Sequence, residues 1–164
     1  MNWAHIHLII NHGPVVGSLM GLALLGGGLL WRSQDVVRAA LVIFAVVGLL
    51  AAAVVQTGER AEEEIEDLAG VSETTIEPHE EAAELAAIGL EALGLVALVG
   101  LVAFRSPRRV PGWFALVVLL AAVAPAVLVA RAANLGGQIR HPEITAPAAE
   151  TSAPGVEDAE SREP

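Results

Sequence analysis

Residues Val36 to Gln56 read VVRAALVIFAVVGLLAAAVVQ, with a single charge, Arg38, near the start. A helix needs roughly 20 apolar residues to cross a hydrocarbon core of about 30 Å. This stretch meets that length and lacks the strict alternation of a half-buried strand. Three more stretches read the same way: about Pro14 to Trp31, Ala82 to Phe104 and Gly112 to Ala133. In lipid a chain must satisfy its own peptide groups, which a helix does within one segment. The expectation is an all-α membrane domain over residues 1–144 with four transmembrane helices. The short alternating segments of a membrane β-barrel are absent from the sequence.

The links order the four spans. Trp31 to Asp35 and Arg105 to Pro111 are short, and short links join antiparallel neighbours. The bundle is therefore expected to run up-down-up-down, with the longer link, Thr57 to Glu81, at the other end beside both termini. Within that link Glu59 to Leu68 is acidic but rich in helix formers, which predicts a solvated surface helix.

Charge then predicts orientation. The short links and their flanks carry Arg32, Arg38, Arg105, Arg108 and Arg109. Of the 19 acids in the chain, all but Asp35 lie towards the opposite end. The positive-inside rule places Arg-rich links in the cytoplasm, so both termini are expected on the periplasmic side of a bacterial inner membrane. Trp31 and Trp113 fall at the inner boundary, where aromatic belts form. Met1 to His12 has no basic residue, so the first apolar stretch is expected to remain a span rather than a cleaved signal. The acidic tail from Thr145 to Pro164 has almost no apolar bulk and is expected to be disordered.

Composition removes several function classes. The 164 residues are 54% hydrophobic and 17% charged, with a mean hydropathy of +0.60, too apolar for an ordinary soluble domain. There is no Cys, which excludes disulfides, iron–sulfur clusters and covalently attached haem. All nine basic residues are Arg, so no Schiff-base or P-loop lysine exists. A net charge of −10 argues against nucleic acid as a partner.

The five histidines, His5, His7, His12, His79 and His141, all fall at the end away from the short links. At 1.5 Å per residue His12 lies about 28 Å up the first span, Glu84 about 30 Å up the third and Arg131 about 28 Å up the fourth. His79 lies about 37 Å up, with His7 at a similar height if the first helix continues through Pro14. His7 and His79 are therefore expected to face each other, with His12, Glu84 and Arg131 beneath. Neutral imidazoles converging between helices suit a transition metal or a haem iron, and Arg131 would pair a haem propionate or Glu84. Glu77, Glu80, Glu84 and Glu91 share one helical stripe, which predicts an acidic face turned into the bundle. Glu80, Glu84, Glu91 and His141 are then the expected outer shell of the site, with Glu91 either a proton-path carboxyl or a protonated acid bonded to a neighbouring helix. Gly13, Gly17, Gly21 and Gly28 form a stripe that predicts close helix packing. Pro125 is expected to kink the fourth span or to be relieved by packing.

His7-Leu8-Ile9-Ile10-Asn11-His12-Gly13-Pro14, Thr57-Gly58-Glu59, His79-Glu80 and Leu135-Gly136-Gly137-Gln138-Ile139 follow in one order along the chain. This order resembles a family of small bacterial four-helix membrane proteins with no assigned function. Its members open with His-Pro and His-x-Pro, then carry Thr-Gly after the second span, a His before the third and Gly-Gly after the fourth. The resemblance covers about residues 5 to 141, and Leu8 stands where the family's first Pro follows its His. It implies the fold, a recurring histidine set and haem at His7, His12 and His79.

The leading expectation is a membrane electron-transport module holding b-type haem, or another metal, through His7, His12 and His79. The competing one is an accessory subunit of a larger respiratory or photosynthetic complex, its helices packed against partner subunits or further copies of itself. No nucleophile–base constellation and no inverted repeat favour an enzyme or a transporter.

Overall fold

In the computed structural model the described residues are 2–65 and 73–140, and among them there are helices and no strands. The helices are α1 (Trp3–Ile10), α2 (His12–Leu30), α3 (Gln34–Ile65), α4 (Glu73–Ala103) and α5 (Gly112–Arg140). Four stretches are long and apolar enough to cross a membrane: Trp3–Leu30, Gln34–Glu64, Ile76–Ala103 and Gly112–Ile139. The expected all-helical architecture is therefore present, with four stretches long and apolar enough to cross a membrane. The tail from Thr145 and His141 lie outside the described residues.

The first span is two helices in near continuity. α1 ends at Asn11, and α2 restarts with Pro14 in its first turn, where the missing N–H costs least. The His12 ring takes up the Leu8 carbonyl at this junction, at 3.2 Å. The link between the second and third spans is shorter than the sequence suggests. No separate surface helix forms at Glu59. α3 runs on unbroken to Ile65, because Glu, Arg and Ala there are all good helix formers. α4 likewise begins at Glu73 and passes through Pro78.

Neighbouring helices run antiparallel. A Cβ on Gly21 would meet Phe44, and one on Gly28 would meet Val37, so α2 descends as α3 climbs. α3 and α4 touch backbone to backbone: a Cβ on Gly94 would lie 3.0 Å from the Gly48 Cα and from the Phe44 carbonyl oxygen. Such contact between small residues is how helices associate where lipid removes the hydrophobic drive. α4 meets α5 through Gly89 on Pro125 and Gly100 on Phe114, so α5 passes through Pro125 as a single helix with the ring seated against Gly89. α5 returns to α2 and closes a four-helix ring.

The main core joins all four helices towards the short links. Leu25, Leu41, Phe44, Ala97 and Val118 are there, each with no exposed surface. Polar clamps close the same end. The Arg38 guanidinium donates to the Phe104 and Arg108 carbonyls, both at 2.6 Å. The Gln34 side-chain amide pairs with the Val110 backbone in both directions. α2 finishes in a Schellman cap. Ser33 N–H donates to the Gly28 carbonyl and Arg32 N–H to the Leu29 carbonyl, with Arg32 left-handed at φ 54°.

The acidic stripe is not turned inward. Glu77, Glu80, Glu84 and Glu91 are all exposed. The reason is visible beside Glu91. Ala87, Leu90, Leu93, Gly94 and Ala97 are buried, and they define the core face of α4, about 100° or more away from the acids. Spacing showed that the acids share a stripe; only the packing shows which way the stripe points.

Candidate functional site

α3 is 31 residues long within its span, about 46 Å, while the hydrocarbon core is about 30 Å. The helix is therefore longer than the apolar layer is thick. His7, His79 and their neighbours lie towards the helix ends away from the short links.

His7 is placed by the way α1 is tied to the end of α3. The Glu64 carboxylate accepts the Trp3 and Ala4 N–H groups at 3.2 and 3.1 Å, and the Asn2 side chain accepts the His5 N–H at 3.0 Å. The Arg60 guanidinium lies 4.3 Å from the centre of a Trp3 ring. With α1 held this way, His7 Nδ1 reaches the Val54 carbonyl at 3.2 Å and the Thr57 hydroxyl at 3.4 Å. The ring rests over Gly58, where a Cβ would lie 3.2 Å from His7 Cε1.

His79 repeats the arrangement on the other pair of helices. Its Nδ1 lies 2.8 Å from the Ala132 carbonyl of α5. Its ring rests over Gly136, where a Cβ would lie 2.9 Å from Cε1. A carbonyl can only accept, so in each neutral ring Nδ1 carries the proton and Nε2 keeps its lone pair. Both rings are half-buried, and they are near enough to interact electrostatically. A metal-ligating histidine is characteristically oriented by such a bond from its second nitrogen.

Further out, the Glu62 and Glu80 carboxyls hydrogen-bond across α3 and α4. That bond, with partial burial and the neighbouring charge of Glu80, pushes the Glu62 carboxyl up to about 7. Deeper, Asn11 lies one turn below His7 on the same helical face, and its buried side-chain oxygen has no hydrogen-bond partner among the described residues.

The other expected members are elsewhere. His12 is exposed, and its Nδ1 is engaged by Leu8 of α1. Arg131 and Glu84 are exposed at one height but form no ion pair with each other among the described residues. Glu91 lies near mid-bundle on an outer face, far from the histidines. No three His, Asp or Glu side chains converge as a metal-ligand group among the described residues. Sequence reading missed Asn11, Gly58 and Gly136 as site residues. For Asn11 the signal was its spacing of four from His7. For the glycines it was a small residue one turn above a histidine-bonding carbonyl on the neighbouring helix, which cannot be seen until the helices are paired. No protein-family model, curated protein or solved structure matches this chain.

Proposed function

We propose that the chain is an integral membrane redox module in which His7 and His79 hold b-type haem, or another metal, through their Nε2 atoms. The observation that carries this reading is the matched pair. Two rings on different helices, each oriented by a backbone carbonyl and seated on a glycine, leave the same nitrogen without a hydrogen bond among the described residues. A haem needs few protein donors, and His7 and His79 would hold it. A bare ion asks for three or four protein ligands, so the donor set favours haem. Bound there, the iron would supply one-electron chemistry. The protein's part would be to fix both imidazoles, with the Glu62–Glu80 pair and Asn11 as polar neighbours. His12 and Arg131 are peripheral in this reading. The Arg-rich short links favour a bacterial inner membrane with the histidines on the periplasmic side.

The purified protein should show a Soret band, with α and β bands that sharpen on dithionite reduction, and iron near one equivalent per chain. A colourless, metal-free protein would favour the second reading, an accessory subunit. That reading is supported by Glu91, an acid on an outer face with no partner among the described residues. Orientation is tested with single cysteines introduced at Ser106 and Ser152. An impermeant thiol reagent should label intact cells at position 152 and not at position 106.

A further inference from the structure

Height is conserved by any rotation about the membrane normal, so side chains that meet across a cyclic membrane assembly must lie at equal depth. Two outer faces of this bundle match in that way. On α4 the acids Glu84 and Glu91 sit two turns apart on one exposed stripe. On α5 Arg131 is an exposed charge. Counted from the short-link ends of their helices, Ala103 and Gly112, Glu84 and Arg131 are both about 28 Å up. Glu91 is about 18 Å up, within reach of a descending Arg side chain and well inside an apolar layer of about 30 Å.

The two charges do not meet within one chain. The stripe of Glu84 and Glu91 lies on the side of α4 that borders α3, where a Cβ on Gly48 would lie 3.5 Å from the Glu91 Cα. α5 packs on the opposite side of α4, through Gly89 and Gly100. Arg131 projects from the face of α5 opposite buried Ala122, 180° around the helix. A charge is costly at mid-span, so Glu91, which has no ion pair among the described residues, calls for a cation whose side chain can reach its depth.

Below the charges the apolar surfaces match too. An open groove of about 320 Å³ on α4 is lined by Leu98, Val99, Val102 and Ala103. At the same height α5 presents Trp113, 66% exposed, with Leu116 and Val117.

We propose that copies of this chain pack side by side in the membrane, head to tail, with the outer face of α4 in one copy against the outer face of α5 in the next. Arg131 then lies between Glu84 and Glu91 of its neighbour, and Trp113 enters the groove beside Val102. The two faces differ, so the contact is heterologous, the kind that a rotation about the membrane normal can close into a ring. The assembly does not depend on what the histidines hold.

The chain has no native Cys, which makes cross-linking clean. Differently tagged Glu84→Cys and Arg131→Cys chains, co-expressed and treated in native membranes with a short bis-maleimide, should cross-link to each other. Either variant expressed alone should stay uncross-linked. Equal cross-linking of each variant to itself would overturn the head-to-tail arrangement. As a second measure, light scattering in lipid nanodiscs should give an oligomer for the wild type. Glu84→Arg or Arg131→Glu alone should shift it towards monomer, and both together in one chain should restore it. A wild type that is monomeric at every protein-to-lipid ratio, or a double variant no better than the singles, would overturn the proposal.

Discussion

The two ends of the bundle are built from different materials. Towards the short links the core is bulky and branched, with Phe44, Leu25, Leu41 and Val118 fully buried and the loops bolted down by Arg38 and Gln34. Towards the histidines most of the buried residues are small, Ala51, Ala82, Ala86, Ala87, Ala126 and Ala132, with Val47, Leu90 and Ile76 the bulkier exceptions. There the polar side chains spend their hydrogen bonds on neighbouring helix carbonyls rather than on loops. One end holds the helices together. The other holds two imidazoles at a fixed orientation. Stability and function should therefore separate along the membrane normal.

Phe44→Ala should test that separation with the largest effect. It empties a fully buried ring site and should cost about 3–5 kcal/mol in unfolding titrations in detergent, while leaving the histidine geometry intact. Arg38→Leu removes two charged hydrogen bonds to loop carbonyls and should cost about 2 kcal/mol, again without touching the other end. Gly136→Ala should do the reverse. Its methyl would press on His79 Cε1 and turn the ring away from the Ala132 carbonyl, lowering stability by about 1 kcal/mol but disrupting any bound cofactor's spectrum.

The pH response should also be confined to one end. Glu62 is raised to about 7 by its hydrogen bond to Glu80, by partial burial and by that residue's charge. A carboxyl whose folded pKa is raised contributes fully below its unfolded pKa, near 4.5. That contribution fades as pH rises through about 7. Protection factors against hydrogen exchange, which remove the intrinsic acceleration by hydroxide, should fall in the Gly58–Glu62 turns between pH 5 and 8 but not around Phe44, and Glu62→Gln should abolish the dependence. The smallest effect is at Arg32, whose left-handed conformation suits glycine. Arg32→Gly should stabilise by up to about 1 kcal/mol in the same unfolding titrations.

How much was legible in the sequence divides along the same axis. Apolar run length and the short Arg-rich links were enough to predict the four spans and their antiparallel order, because lipid leaves a long apolar segment few alternatives. Counting rise per residue put His7 and His79 at a similar height, and the two are near enough to interact electrostatically. The direction of the acidic stripe did not, because spacing fixes which residues share a face but not which face the neighbouring helices take. Glu91 thus moved from the interior to the surface. The roles of Gly58 and Gly136 were equally hidden. Each matters for what it leaves room for on another helix, and a single sequence carries no record of that pairing.

The central claim is that His7 and His79, and not His12, hold a redox cofactor. Reduced-minus-oxidised visible spectra of the wild type and of the His7→Ala, His79→Ala and His12→Ala variants, purified in parallel, test it most directly. The account predicts haem bands in the wild type and in His12→Ala, and their loss or a change of spin state in both other variants. A colourless wild type, or bands that survive unchanged in His7→Ala and His79→Ala, would contradict it.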